Sequence, residues 1–239
     1  MINITDLHIE DEILPLFDFT FNISSGQAVR DIITEPAGTM SAILFRQQVL
    51  KGFIGNREIL KDYSYSRFNL SEIYNFFESF SAGSFSGVHL KWKLMFSEKE
   101  RHRNKGKIIL LILLFNKIQS AFTGKIDRKL FPDEYATELE WINLFLTDFN
   151  LEHYESIFRK KKIRVRHVVE LLGIITEKVT NGQVAAFWKR WFLFEAYLSV
   201  SDGIIRHDFV FPAFDDSAFS MEGLYHPLLK NPVRSDLVA

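Results

Sequence analysis

The chain has 239 residues, enough for one large domain or two small ones with a substantial core. Hydrophobic residues make up 47% and charged residues 25%, which excludes wholesale disorder, and 12 Gly with 6 Pro are too few for a loop-rich β-sandwich. The net charge of −1 requires any attraction for nucleic acid to come from local patches, and the absence of cysteine excludes disulfides and thiolate zinc sites.

The first half of the chain has apolar residues at helical spacing. A helix is predicted at 24–33 with Ser24 or Ser25 as its N-cap, and Pro36 follows its end. Thr39 is predicted to cap an amphipathic helix that runs to about Gly55. Two further helices are predicted at 57–65 and 71–80, and the small residues at 81–87 are the best candidate boundary in this half.

The second half shows longer helical patterns. Helices are predicted at 91–124 and 134–149. Residues 164–202 contain no proline and are predicted to form one helix of about 55 Å, weakened at Gly173 and Gly182. The segment 209–212 is predicted to be extended, so the fold class is mainly α. The 24 phenylalanines predict a core packed largely by aromatic rings.

No pattern in the chain predicts catalysis, a metal site or a membrane span. The seven histidines never fall three or four residues apart on a helix, and neither a phosphate-binding glycine loop nor a serine elbow occurs. The strongest apolar run, 108–115, is far shorter than the roughly 20 residues that span a bilayer. We therefore expect a soluble cytoplasmic protein.

Two basic clusters each precede the apolar part of a predicted long helix. Clustered cations suit neutralisation of DNA phosphates, which is the part of DNA binding that does not depend on base sequence. The alternative is a solvated helix tip balanced by nearby acids. The candidate contacts to the DNA backbone are Arg101, Arg103 and Lys105 in the first cluster and Arg159, Lys160, Lys161, Lys162, Arg164 and Arg166 in the second.

The end of the sequence resembles a known family. The tail contains an apolar pair, then His226-Pro227-Leu228-Leu229, and then Asn231-Pro232-Val233. This pattern resembles the strand and loop that open the ATPase domain of the MutS family of DNA mismatch-repair proteins. Upstream, Ser25-Gly26 and Arg46-Gln47 are similar to motifs of that family's helical core. The likeness covers about residues 15–239.

The resemblance implies a helical core bundle with long lever helices, ending in the first strand of an α/β ATPase domain. It implies a helical core at 1–85, lever helices at 86–208 with a shortened clamp-like excursion at 124–163, and the start of the ATPase domain at 209–239. This would be a DNA-binding fragment that couples nucleotide state to clamping of double-stranded DNA, and the whole protein would be a homodimer. The residues expected to flank the nucleotide are His226, Pro227, Asn231, Pro232 and Val233, the last against the adenine ring.

The resemblance also has departures. The residues before the core are too few for a mismatch-recognition domain, and the excursion is short, which places the chain nearer the short MutS-related branch. Because the phosphate loop is absent, we expect this fragment to be no enzyme, and ATP and Mg²⁺ to bind only with the missing part of the ATPase domain.

Two other functions stay open. The first is a helical protein–protein interaction module that does not bind nucleic acid. The second is a helical receptor for a small ligand, which would need a cluster of buried polar groups that the sequence pattern does not reveal.

Overall fold

The computed structural model describes residues 8–35, 37–81, 98–214, 220–229 and 233–238. Within these ranges the protein is mainly helical, as predicted. A π-helical turn at Ile9–Ile13 and a 3-10 turn at Leu14–Leu16 are followed by helices α1 Ile23–Thr34, α2 Met40–Gly55, α3 Arg57–Leu60, α4 Arg67–Ser81, α5 Glu98–Ile118, α6 Asp133–Thr147, α7 Leu151–Arg159, α8 Val165–Thr180 and α9 Gln183–Arg206. Two strands, β1 Ser220–Leu224 and β2 Ser235–Val238, come last.

Helix α9 lies at the centre of the bundle. It packs against α1, α2, α6 and α8, and Trp191 and Phe194 on it are fully buried. Aromatic rings fill the space around it: Phe187 stacks on Phe145 of α6 at 4.3 Å between ring centroids, and Phe53 of α2 lies 5.3 Å from Phe194. The predicted phenylalanine core is thereby confirmed, and helices from both halves of the chain contribute to it.

Of the two predicted helix caps, one is correct and one is wrong. Thr39 accepts from the amide of Ala42 and caps α2, as predicted. The cap of α1 is Asn22, whose side-chain oxygen accepts from the Ser25 amide at 2.8 Å. The prediction of Ser24 or Ser25 was wrong because the Ser25 hydroxyl is used in a buried contact with α9.

The helix predicted at 164–202 is two helices. Helix α8 ends at Thr180 and α9 begins at Gln183, with Gly182 between them at φ 69° in the left-handed region. An L-residue with a side chain pays for that conformation, whereas glycine adopts it freely, so the chain turns here without a proline. Two other helices differ from their predicted bounds of 57–65 and 71–80: α3 covers only Arg57–Leu60, and α4 begins at Arg67. The predicted break at 81–87 lies almost entirely outside the described residues.

One stretch, Arg103–Thr123, is long and apolar enough to cross a membrane by length and composition alone. It consists of most of α5 and a π-helical turn, Gln119–Thr123. In the described bundle Ile108, Leu111, Ile112 and Phe115 are fully buried, so the apolar face of this helix is part of the core. A core helix of this kind passes the same test of length and hydropathy as a membrane span.

The end of the described chain is a β-hairpin. After α9 the backbone leaves helical structure, as predicted, and β1 pairs antiparallel with β2 in the register Ser220↔Val238, Met221↔Leu237 and Leu224↔Ser235. The described residues of the family-like tail, 226–229 and 233, lie between the two strands.

Candidate functional site

A strongly cationic surface lies where α7 gives way to α8, at residues 159–166, which we call the basic turn. Six of its eight residues are Lys or Arg and none is acidic. Arg159 forms an ion pair with Glu155 one helical turn earlier. The other five cations, Lys160, Lys161, Lys162, Arg164 and Arg166, are all exposed. Their charges therefore face solvent together within a short loop.

The geometry of the basic turn follows from how its two helices end. Helix α7 stops at Arg159, and Lys161 then adopts a left-handed conformation with φ 54°. Helix α8 starts after Arg164, whose amide donates to Nδ1 of the buried His167 at 3.2 Å. Burial, reinforced by Arg166, lowers the pKa of His167. This histidine is therefore neutral at neutral pH and adds no charge to the turn.

The first basic cluster lies on the opening turns of α5. Arg103 is exposed and Lys105 is half-buried, while the side chain of Arg101 lies outside the described part of the molecule. Lys107, in the same cluster, sits 5.5 Å above the ring of Phe76 and so packs against α4. This cluster is less uniformly exposed than the basic turn.

The described tail residues lie in the loop of the hairpin. His226 is exposed and its Nδ1 accepts weakly from the Leu228 amide at 3.4 Å, Pro227 is half-buried, and Val233 is 89% exposed. Tyr225 fastens the loop to the bundle, because its hydroxyl donates to the carbonyl of His207 at 2.6 Å. Asn231 and Pro232 lie outside the described residues.

The two family-like residues on α2 hold structural elements together. The Arg46 guanidinium donates to the carbonyl oxygens of Ile32 and Glu35, at 2.9 and 3.2 Å, and so satisfies the end of α1. The amide of Gln47 donates to the carbonyl of Pro212 at 3.1 Å and ties the extended segment after α9 to α2.

The structure also contains a cluster of buried polar groups that sequence reasoning missed. Its centre is Glu195 on α9, which is 3% exposed. The carboxylate accepts from the Ser25 hydroxyl at 2.5 Å, the Asn22 amide at 2.6 Å and the Tyr63 hydroxyl at 2.5 Å, and also from the hydroxyl of Tyr65. The cluster thereby joins α9, the start of α1 and the connection between α3 and α4.

Burial dominates the electrostatics of this cluster. It raises the pKa of Glu195, although the hydrogen bonds from its four donors oppose that shift. The pKa of Tyr63 is raised well above its usual range by burial and by the neighbouring carboxylate. Burial raises the pKa of Tyr65 as well, so both tyrosines remain protonated donors. In the sequence, the only sign of this cluster was the acidic residue Glu195, which lies close to the apolar residues Trp188, Trp191 and Phe194 of a predicted helix.

The described residues contain no group of three or more His, Asp or Glu side chains that could hold a metal ion. No protein family, curated protein or solved structure matches this chain.

Proposed function

We propose that this chain is the DNA-binding core and lever part of a MutS-related ATPase, and that it contacts the phosphate backbone of duplex DNA through the basic turn. The observation that carries the proposal is the set of five exposed cations in the basic turn besides the ion-paired Arg159, with no acidic residue among them. The family-like residues His226, Pro227 and Arg46-Gln47 support the MutS relationship by resemblance. In this proposal ATP and Mg²⁺ act only through the rest of an ATPase domain, and the complete protein is a dimer.

The charge distribution favours backbone contacts. The whole chain has a net charge of −1, so long-range attraction is weak and binding depends on the local patch. Lysine and arginine side chains on a turn can each displace a condensed counterion from DNA, which gives affinity without base specificity. The proposal therefore predicts binding to duplexes of any sequence and a strong dependence on salt.

The test is a salt titration of duplex binding, followed by fluorescence anisotropy. If each of the five exposed cations neutralises one phosphate, the slope of log K against log salt is about −4.5. The triple variant K160Q/K161Q/K162Q leaves two of these cations, so its slope falls to about −1.8. Both slopes are measured on the same labelled duplex and on a second duplex of unrelated sequence.

A matched control removes three exposed lysines elsewhere, in K125Q/K129Q/K189Q. This control has the same net charge as the test variant, and its slope should stay at the wild-type value. Equal slopes for the two variants would place DNA binding away from the basic turn. No binding of the wild type at low salt would reject the proposal and leave the protein-interaction module as the better account.

A further inference from the structure

A cleft of about 710 Å³ opens between the start of α1, the segment that precedes it, and α4. Its volume lies within the range of small-molecule sites, which are mostly apolar with a few convergent polar groups. Leu70 and Tyr74 of α4 and Phe192 of α9 form an apolar wall. Arg30 and Arg67 supply the positive charge in the lining.

The acidic group in the lining is already satisfied. Asp18 accepts from both the amide and the hydroxyl of Thr20, at 3.0 and 2.6 Å, so it closes its own turn. Arg67 makes one long contact, 3.4 Å, to the carbonyl of Thr20. Arg30 is paired with the carboxylate of Glu10, and both partners of that pair are substantially exposed. One of the two cations at the cleft is therefore already paired with a carboxylate of the chain itself.

One residue of the cleft lining is held in place by the buried polar cluster. Asn22 lines the cleft and also donates to Glu195, so the buried polar cluster fixes its position. The buried polar cluster is therefore joined to the lining of this cleft through Asn22. A preorganised lining residue reduces the ordering cost of binding.

We infer that this cleft binds a small organic anion with an apolar ring, whose carboxylate or phosphate pairs with Arg30 and Arg67 while the ring packs against Leu70, Tyr74 and Phe192. The Glu10 carboxylate competes with the anion for Arg30. Guanidinium groups recognise both kinds of oxyanion by charge-assisted hydrogen bonds. This site is separate from the basic turn and shares no residue with it.

The test uses ligand-observed NMR and calorimetry with three probes: 2-naphthoate, 1-naphthyl phosphate and the uncharged 2-naphthylmethanol. One or both anions should saturate the site with a dissociation constant of about 0.1 to 1 mM, whereas the uncharged probe should bind at least about tenfold more weakly. A comparison of the two anions identifies the preferred oxyanion. Inorganic phosphate alone should bind much more weakly, because it has no ring.

Four variants locate the site. R30Q and R67Q should each weaken anion binding about tenfold or more, while R57Q, at an exposed arginine outside the cleft, should not change it. E10Q should strengthen binding about two- to fivefold, since it removes the competing carboxylate from an exposed pair. A gain of affinity cannot result from misfolding. The triple variant of the basic turn should bind the anions as the wild type does, whatever happens to its DNA binding.

The inference is overturned if the anions bind no better than 2-naphthylmethanol, or if E10Q lowers the affinity. It is also overturned if the triple variant of the basic turn, and not R30Q or R67Q, abolishes anion binding.

Discussion

Substitution of Gly203 by alanine tests the packing of Leu16 and Phe17 against α9. A Cβ at position 203 of α9 would lie 2.5 Å from the carbonyl oxygen of Leu16 and 2.6 Å from Cδ1 of Phe17. The neighbouring segment cannot easily retreat, because Ser199, one turn earlier on α9, accepts from the Phe19 amide at 2.7 Å and donates to the Phe17 carbonyl at 2.6 Å. Overpacking of this kind costs about 1 to 3 kcal/mol, partly offset by about 1 kcal/mol of better helix propensity.

We therefore expect Gly203→Ala to lower the free energy of unfolding by up to about 2 kcal/mol, the overpacking cost less the gain in helix propensity. Gly173→Ala is the matched control, because Gly173 lies in the middle of α8, is exposed, and has no atom within 4 Å of the added Cβ. There alanine should raise the free energy of unfolding by about 0.5 to 1 kcal/mol. Equilibrium urea unfolding measures both. If the two variants are stabilised alike, the close approach of Leu16 and Phe17 to α9 does not exist.

Local sequence patterns were sufficient for most of the helices. The spacing of apolar residues predicted α2 and α6 nearly to their ends, and Thr39 was a correct cap because its contact is local. The cap of α1 was misassigned for a reason that is not local. Ser25 looks like a capping residue, but its hydroxyl bonds to a carboxylate 170 positions later in the chain.

The division between α8 and α9 was also hidden from local patterns. Glycine inside an apolar periodicity is compatible both with a continuous helix and with a left-handed turn. Tertiary contacts decide here: the buried Lys178 of α8 pairs with Asp148 at 2.6 Å and with Gln183, the first residue of α9, at 3.1 Å. These contacts hold the corner at Gly182 and could not be inferred from spacing.

The same distinction applies to the candidate sites. The charges of the basic turn lie close together in the sequence, so its residues were identified from the sequence, and the structure adds that its six cations are exposed and that Arg159 pairs with Glu155. The cleft combines residues near positions 10–30, 67–74 and 192, and the polar cluster linked to its lining joins Asn22 to Glu195. Only tertiary packing brings these segments together, so the sequence pattern alone did not reveal the buried polar groups.

Two further substitutions test the corner at Gly182 and the charge of Glu195. Gly182→Ala should destabilise the fold by about 1 to 2 kcal/mol, because φ at this position is 69°. Gly38→Ala is the control and should not destabilise the fold, because Gly38 has neither a positive φ nor an atom close to the added Cβ. Thermal unfolding measures both variants. For Glu195 the pH dependence is diagnostic. Burial raises the folded-state pKa of its carboxyl group, so protonation favours the folded state. Its contribution to stability is therefore full below the unfolded pKa and is lost as the pH rises through the raised folded value. Glu195→Gln has no charge to titrate, so the stability of the wild type relative to this variant should increase as the pH falls toward the ordinary glutamate pKa of about 4.3 in urea unfolding experiments. A relative stability that instead decreases over this range would mean that the four donors outweigh burial and hold the carboxylate ionised.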